Sequence, residues 1–323
     1  MLWWVNFGNR HLVPAAIAAV ILIFSSTVSF GTPAVYSAIE EPDADSLSIN
    51  KKRLRTVLIA EGVSYASTMT ALYFVWYKDQ PLVKLHSFDD ADEWLQMDKA
   101  GHFVTGYLIA SYSDRFYRYA NMSPKKAALI GSAQSLFFLS SLEMFDGISR
   151  DWGFSWSDMG ANVLGCGSYL LQEYLWREQR IIPKFSAHTT HLAAYRPELL
   201  GSTFPSRILK DYNGQTYWLS FNLASTFGLQ KSNLPKWLNI AFGYGANGLL
   251  GGTINPERNK AGELLPHKER TRQYYFSLDI DCSRIPAKKK WQKVVLRSLN
   301  WIKIPFPTLV LEQGKFELLP FYF

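Results

Sequence analysis

The sequence predicts an α+β protein: an N-terminal bundle of about four apolar helices followed by an antiparallel, β-rich C-terminal part. Three observations carry that expectation. Four apolar segments of helical length, with readable ends, lie between Arg53 and Trp176. Beyond Pro183 the pattern changes from helical periodicity to alternation. At 323 residues the chain can bury a large core, as one large unit or two modest ones.

The N-terminus comes first. Arg10 and His11 precede an apolar run from Leu12 to Phe24, followed by small and turn residues. Residues 1–38 therefore read as a signal peptide, cut before Ala38 or after Gly31, or as an uncleaved membrane anchor. No Cys lies near the end of the apolar run, so the pattern does not support a lipoprotein-type anchor. Residues 39–52 are acidic and Ser-rich and suit an exposed linker.

Residues 53–182 form the expected helical domain. Its first apolar segment, Arg53 to Tyr77, is interrupted by Glu61 and is long enough for one membrane crossing. If residues 12–30 lead the chain outward, however, the basic Lys51 to Arg55 cluster would lie outside, against the positive-inside tendency. A protein exported whole is the expectation. The second helix is expected over about Asp98 to Tyr119. The third follows the Ser123-Pro124 start signal and runs to about Phe145, and the fourth runs from Ser155 to Trp176, before Arg177 and Pro183. Gly160, Gly165 and Gly167 would let that fourth helix approach a neighbour closely.

Residues 183–323 are expected to be β-rich. Asn213-Gly214 marks a turn, after which Tyr217, Leu219, Phe221 and Leu223 share one strand face, opposite Ser220 and Asn222. Leu238, Ile240, Phe242 and Tyr244 alternate with Asn239, Ala241, Gly243 and Gly245; Phe276, Leu278, Ile280 and Cys282 alternate with Ser277, Asp279, Asp281 and Ser283. A final pair, near Thr308 to Glu312 and Phe316 to Phe323, flanks the Gln313-Gly314 turn, and an amphipathic helix over about Trp291 to Ile302 interrupts the series. The terminal Phe321-Tyr322-Phe323 is of the kind that ends an outer-membrane barrel strand. Five strand candidates fall short of the roughly eight such a barrel needs, so a sheet packed on the bundle is expected.

Composition narrows the partners. The net charge is +7 and the pI about 9.2, yet no Lys/Arg block is long or aromatic-interleaved enough for a nucleic-acid surface. A membrane lipid surface is the expected partner, which the 15% aromatic content and 11 Trp also favour; an envelope protein is the other. Cys166 and Cys282 define no framework and leave open a disulfide or two buried thiols.

The chemistry concentrates between Asp98 and Gly165. On helices Asp98 and His102 lie four apart, as do Asp158 and Asn162, while Glu143 and Asp146 lie three apart. Ionisable groups among apolar helices are costly unless they pair, so Asp98, Lys99, His102, Glu143, Asp146, Asp158 and Asn162 are expected to form one polar cluster. Such a set has three uses. Asp98, His102, Glu143 and Asp158 suit a divalent metal; His102, Glu143, Asp146 and Asp158 suit acid–base catalysis; or the whole set fixes helix register. Each also has a plain explanation, with Asp98 as an N-cap, Ser155 and Asp158 as a capping box, and His102 as a satisfied core histidine. His188 and His191 have no third ligand near in sequence, Asp279 and Asp281 on a polar strand face are expected to meet solvent, and Gly243-x-Gly245-x-x-Gly248 lacks the βαβ setting of a dinucleotide site.

Asp98-Lys99-Ala100-Gly101-His102-Phe103, then Glu143 and Asp146, then Gly153-Phe154-Ser155-Trp156-Ser157-Asp158 with Asn162, together resemble the YfiM-like family of unknown function, described as periplasmic lipoproteins. The match spans roughly residues 55–180. More distantly, the motif order is similar to that of VanZ-like membrane proteins. The longer chain here, with its Lys210 to Trp218 stretch and C-terminal sheet, resembles the form found in Bacteroidota-type bacteria. The resemblance implies a helical domain in the cell envelope, exported and either periplasmic or outer-membrane-associated, but no reaction. Two functions stand side by side: an envelope protein with a structural or interaction role, and a membrane-facing metal- or His/carboxylate-dependent hydrolase or transferase acting on a lipid or cell-wall precursor.

Overall fold

The computed structural model describes residues 48–78 and 81–323, so the expected leader and most of the linker lie outside the described residues. Helix α1 (Lys51–Leu72) starts at Asn50, whose side-chain oxygen accepts from the Arg53 N–H at 3.0 Å, and it runs on into a π-helical turn, Tyr73–Tyr77. Helix α2 spans Met97–Tyr119, α3 Pro124–Gly147 with its proline in the first turn, and α4 Trp156–Trp176. The short connections between α2 and α3 and between α3 and α4 make those helices antiparallel neighbours.

The arrangement is less uniform than the expected bundle of four apolar helices. Helices α2, α3 and α4 pack on one another, whereas α1 lies along one side, with Tyr65 against Phe137 and Phe138. Nor are all four apolar. Among the described residues only α3 is long and apolar enough to cross a membrane, and close to half of that stretch is buried in the fold. All four helices also bury polar groups: Glu61, His102, Asp114, Glu143, Asp158, Asn162 and Glu173 are all buried. In these helices polar side chains share the inward face with the apolar ones, which is why the apolar content read from the sequence overstates them.

Helices α2 and α4 meet backbone to backbone. A Cβ on Gly165 would lie 2.2 Å from the Phe103 carbonyl oxygen, so only glycine fits there, while Gly160 and Gly167 have open space around them. Gly165→Ala is therefore expected to wedge α2 from α4 and to destabilise by about 1–3 kcal/mol, as overpacking does. A denaturant titration checks this, with Gly167→Ala as a comparison expected to gain about 0.5–1 kcal/mol from the better helix former.

Among the described residues six strands form one antiparallel meander in the order β1 to β6: β1 Ile181–Ala187, β2 Gln215–Asn222, β3 Leu238–Asn247, β4 Thr271–Ile280, β5 Phe306–Glu312 and β6 Lys315–Tyr322. Strand β1 was not foreseen, because Pro183 within it reads as a helix stop. It lies at the sheet edge, where a missing N–H is tolerated. Four short helices also decorate this part: α5 Pro197–Leu200, α6 Phe204–Lys210, α7 Leu223–Thr226 and α8 Lys290–Ser298. Just ahead of β5 the chain reaches back to β1. The Phe185 N–H donates to the Trp301 carbonyl at 2.8 Å and the Lys303 N–H to the Phe185 carbonyl at 2.9 Å. Strands β1 to β5 thereby close into a small barrel, with β6 added at its side.

That barrel is inverted relative to an ordinary sheet. Asp279 and Asp281, expected to face solvent, are 0% and 1% exposed, whereas Phe276 and Leu278 beside them are each 43% exposed. Inside, Asp279 meets Lys184 at 2.8 Å and Lys303 at 3.9 Å, and it accepts from the Ser220 hydroxyl at 2.6 Å. Trp218 fills the interior next to Gly243, where any side chain would strike its ring. Asp279 is shared by the two ammonium groups, and that shared contact sets which strand face turns inward.

Bundle and barrel share one apolar core, in which Trp94, Met97, Val104 and Leu108 pack with Leu200, Tyr217 and Leu250. Trp94, Leu95 and Gln96 all have left-handed backbone conformations, a strained turn that aims the start of α2. It is pinned on both sides by the barrel region: the Trp94 N–H donates to the Gly252 carbonyl at 2.8 Å, and the Tyr244 hydroxyl donates to the Leu95 carbonyl.

Candidate functional site

The strained turn delivers Asp98, Lys99 and His102 on the first two turns of α2, at the bundle end where α3 finishes and α4 starts. Ser155 caps α4 by accepting from the Asp158 N–H at 3.0 Å. The expected capping box is only half formed. The Ser155 N–H goes to Glu143 at 3.4 Å, so the Asp158 carboxylate stays available to the interior. Glu143 is drawn in from α3 and is 1% exposed.

Lys99 is the hub. Its ammonium lies 2.7 Å from Asp90 Oδ2, 2.9 Å from Asp158 Oδ1 and 3.3 Å from Asp98 Oδ2. Asp90 also accepts from the Ser155 and Ser157 hydroxyls, at 2.6 and 2.8 Å. The other Asp98 oxygen accepts from the Tyr212 hydroxyl at 2.8 Å. Around His102 the geometry is more telling. Nδ1 lies 3.0 Å from Asn162 Oδ1, and a proton on Nδ1 satisfies that contact and leaves Nε2 with a lone pair. That lone pair faces Asp158 Oδ2 at 3.6 Å and Asp98 Oδ2 at 4.0 Å.

The electrostatics are unbalanced. Burial lowers the pKa of His102 despite the opposing pull of Asp98, so the ring is neutral. Burial would raise Asp90, but Lys99 and the hydroxyls outweigh it and hold the carboxyl at about 2. Asp98 too is lowered, with Lys99 and then His102 overcoming its burial. Glu143 is pushed well above the carboxylate range by burial, then by Asp146 and Asp98. Asp158 is pushed up by burial and by Asp98, with Lys99 opposing. One ammonium thus serves three carboxyls, of which Asp158 resists ionising, as does Glu143 beside them.

The residues expected to converge do so, with one division. Asp98, Lys99, His102, Asp158 and Asn162 form the centre. Glu143 stands on the other side of the imidazole, 3.7 Å from Nδ1. Asp146 lines the same small cavity but accepts from the Tyr77 hydroxyl at 2.7 Å. The cavity, about 50 Å³, is walled by Phe88, Trp94 and Trp152 and reaches Asp98, His102 and Asp158. Asp90 and Tyr212 were missed as members. Asp90 lies just before α2 among Asp89, Asp92 and Glu93, where acidic side chains ordinarily meet solvent, and nothing local in the sequence ties Tyr212 to a residue 114 positions earlier. Cys166 and Cys282 are both buried free thiols. His188 and His191 sit in a loop, each against a tyrosine ring.

One ligand atom from each of Asp98, His102 and Asp158 lies within 4.8 Å of the other two. Ligands at about 2.1 Å from a tetrahedral zinc-like ion are about 3.4 Å apart, so the observed gaps, 3.6 and 4.0 Å from His102 Nε2 and within 4.8 Å across the set, need the groups to close by amounts from a few tenths of an ångström to about 1.4 Å. Asn162 on His102 and Tyr212 on Asp98 are the kind of outer partners that fix ligand orientation.

Residues 87–173 match the model of a family described as a predicted periplasmic lipoprotein, DUF2279. The matched segment holds every member of the cluster except Tyr212. It excludes α1 and the barrel, so it is shorter than the 55–180 span of the resemblance. Its description agrees with the exported, cell-envelope location expected from the N-terminal sequence. No curated protein and no solved structure matches the chain.

Proposed function

We propose that this envelope protein holds a divalent cation at Asp98, His102 and Asp158, and that the ion ties the start of α2 to the start of α4. The observation that carries the reading is the convergence of His102 Nε2 with Asp98 Oδ2 at 4.0 Å and Asp158 Oδ2 at 3.6 Å. Lys99 offsets part of the charge on Asp98 and Asp158, a cation among the three groups would offset the rest, and imidazole with carboxylates is a donor set that zinc and similar ions accept. The ion would also relieve the charge imbalance that burial creates at Asp158. A cavity of about 50 Å³ has room for an ion and its water, well below the few hundred cubic ångströms typical of ligand pockets, which favours a structural role for the site. The likeness of the motifs to YfiM-like and, more distantly, VanZ-like proteins supports an envelope setting for it. The hydrolase or transferase reading draws support from Glu143, a buried acid with a raised pKa beside His102.

Metal analysis of the purified protein after equilibration with zinc or manganese tests the proposal. About one ion per chain is expected, with the ion lost in both His102→Ala and Asp158→Asn and kept in Glu143→Gln. A wild-type protein that retains no ion from either solution, or ligand variants that retain it fully, would overturn the assignment.

A further inference from the structure

The outer face of the barrel carries a second inference, independent of the cation site. Cross-strand pairing aligns Leu219, Phe242, Phe276, Leu309 and Leu318 in one row across five strands, with exposures of 38, 50, 43, 37 and 65%. A second row, Phe221, Ile240 and Leu278, lies beside it toward the β2–β3 connection. On the opposite side, Tyr274 and Phe316 continue the face until Tyr217 and Tyr244 meet the helices. The inward side of these strands holds Lys184, Ser220, Asn239 and Asp279. That inward side also holds Trp218, Ala241, Tyr275 and Val310, so what sets the outer side apart is its contiguous apolar rows, and rows of this kind mark interaction surfaces.

The end of the barrel past Phe221 says what covers the face. The β2–β3 connection exposes Phe227, Leu229 and Leu234 together with Lys231 and Lys236. At the same end the chain leaves β4 and returns to β5 through α8, which exposes Trp291, Val295 and Leu299 at four-residue spacing beside Lys288, Lys289, Lys290 and Lys293. Neither residues 223–238 nor residues 284–303 contain an Asp or Glu. Aromatic and aliphatic side chains flanked by lysines without acids fit the boundary between acyl chains and anionic headgroups. We infer that the row Leu219-Phe242-Phe276-Leu309-Leu318 and the lysine-bearing end beside it seat the barrel on a bilayer rich in anionic lipid.

An environment-sensitive fluorophore on the full-length protein tests this locally, since the native thiols Cys166 and Cys282 are buried and any N-terminal anchoring is common to all variants. The label is carried by Leu318→Cys on the row or, for comparison, by Leu164→Cys on the outer face of α4. Vesicles of phosphatidylethanolamine with phosphatidylglycerol should raise and blue-shift the emission of the row label several-fold more than that of the α4 label. Phosphatidylcholine vesicles should do so weakly, and Lys288→Gln combined with Lys290→Gln and Lys293→Gln should reduce the response. Three results would overturn the inference: a silent row label with every vesicle, a stronger response from the α4 label, or a shift that appears without lipid as protein concentration rises, which would make a second copy of the chain the occupant. An equal response to phosphatidylcholine would overturn the anionic preference.

Discussion

Lys99→Met is expected to destabilise the protein by about 3–5 kcal/mol at neutral pH, the range seen when one partner of a buried ion pair is removed. Methionine keeps most of the side-chain volume, so the loss would come from charge: Asp90, Asp98 and Asp158 would lose their shared ammonium. The pH dependence gives the effect its signature. In the parent protein Asp90 is held at about 2, below its usual value, so its contribution is present above about pH 4 and is lost as pH falls toward 2. Glu143 and Asp158 have the opposite sign. Their carboxyls are raised, so they weaken the fold at neutral pH and cease to do so on acidification. Stability of the parent should therefore peak in mild acid. In Lys99→Met the Asp90 contribution disappears and the three carboxyls all resist ionising, so the deficit against the parent should shrink between pH 7.5 and pH 5. Guanidinium midpoints at the two pH values measure it. A deficit that stays constant with pH would mean that packing around the methylene stem, not charge, is what the lysine supplies. With the cation bound at Asp98, His102 and Asp158, added zinc should narrow the deficit at pH 7.5.

The cluster was legible because burying charge leaves a trace in sequence. Asp98 and His102 four apart, and Glu143 within an apolar helix, have few uses other than meeting one another. Asp90 and Tyr212 left no such trace. Asp90 enters through a connecting segment, and Tyr212 arrives from beyond β1 to meet a helix start that is aimed by a strained turn no local preference would choose. The helices and the antiparallel sheet were likewise readable from periodicity, but the faces of the strands were not. Alternation fixes which residues share a face and says nothing about which face is inside. The usual assumption puts Phe276 and Leu278 in the core. Here the interior was decided by three long-range groups, Lys184, Asp279 and Lys303, whose mutual neutralisation is invisible until the strands close.

Those three groups make Asp279→Ala the other large effect, again about 3–5 kcal/mol. The carboxylate serves Lys184, Lys303 and the Ser220 hydroxyl at once, and its removal strands two ammonium groups in a barrel that excludes water. Lys303→Met should behave differently. Burial, with Lys184 adding to it and Asp279 opposing, lowers the Lys303 ammonium to about 8. The unfolded chain therefore holds that proton more tightly, and stability should rise with pH between about 8 and 10.5 as the folded state sheds it first. Replacing Lys303 by an apolar side chain removes that penalty and leaves the Lys184–Asp279 pair at 2.8 Å, so a change near zero or a gain is expected, together with loss of the alkaline rise. Thermal unfolding of the two variants between pH 7 and pH 10 separates the cases. Comparable losses in both would mean that the ring faces that Lys303 covers, Trp218 at 5.0 Å and Phe306 at 5.6 Å, stabilise it more than burial weakens it. The strand faces would then be held by cation–aromatic packing, and the inverted barrel would not depend on neutralising Asp279.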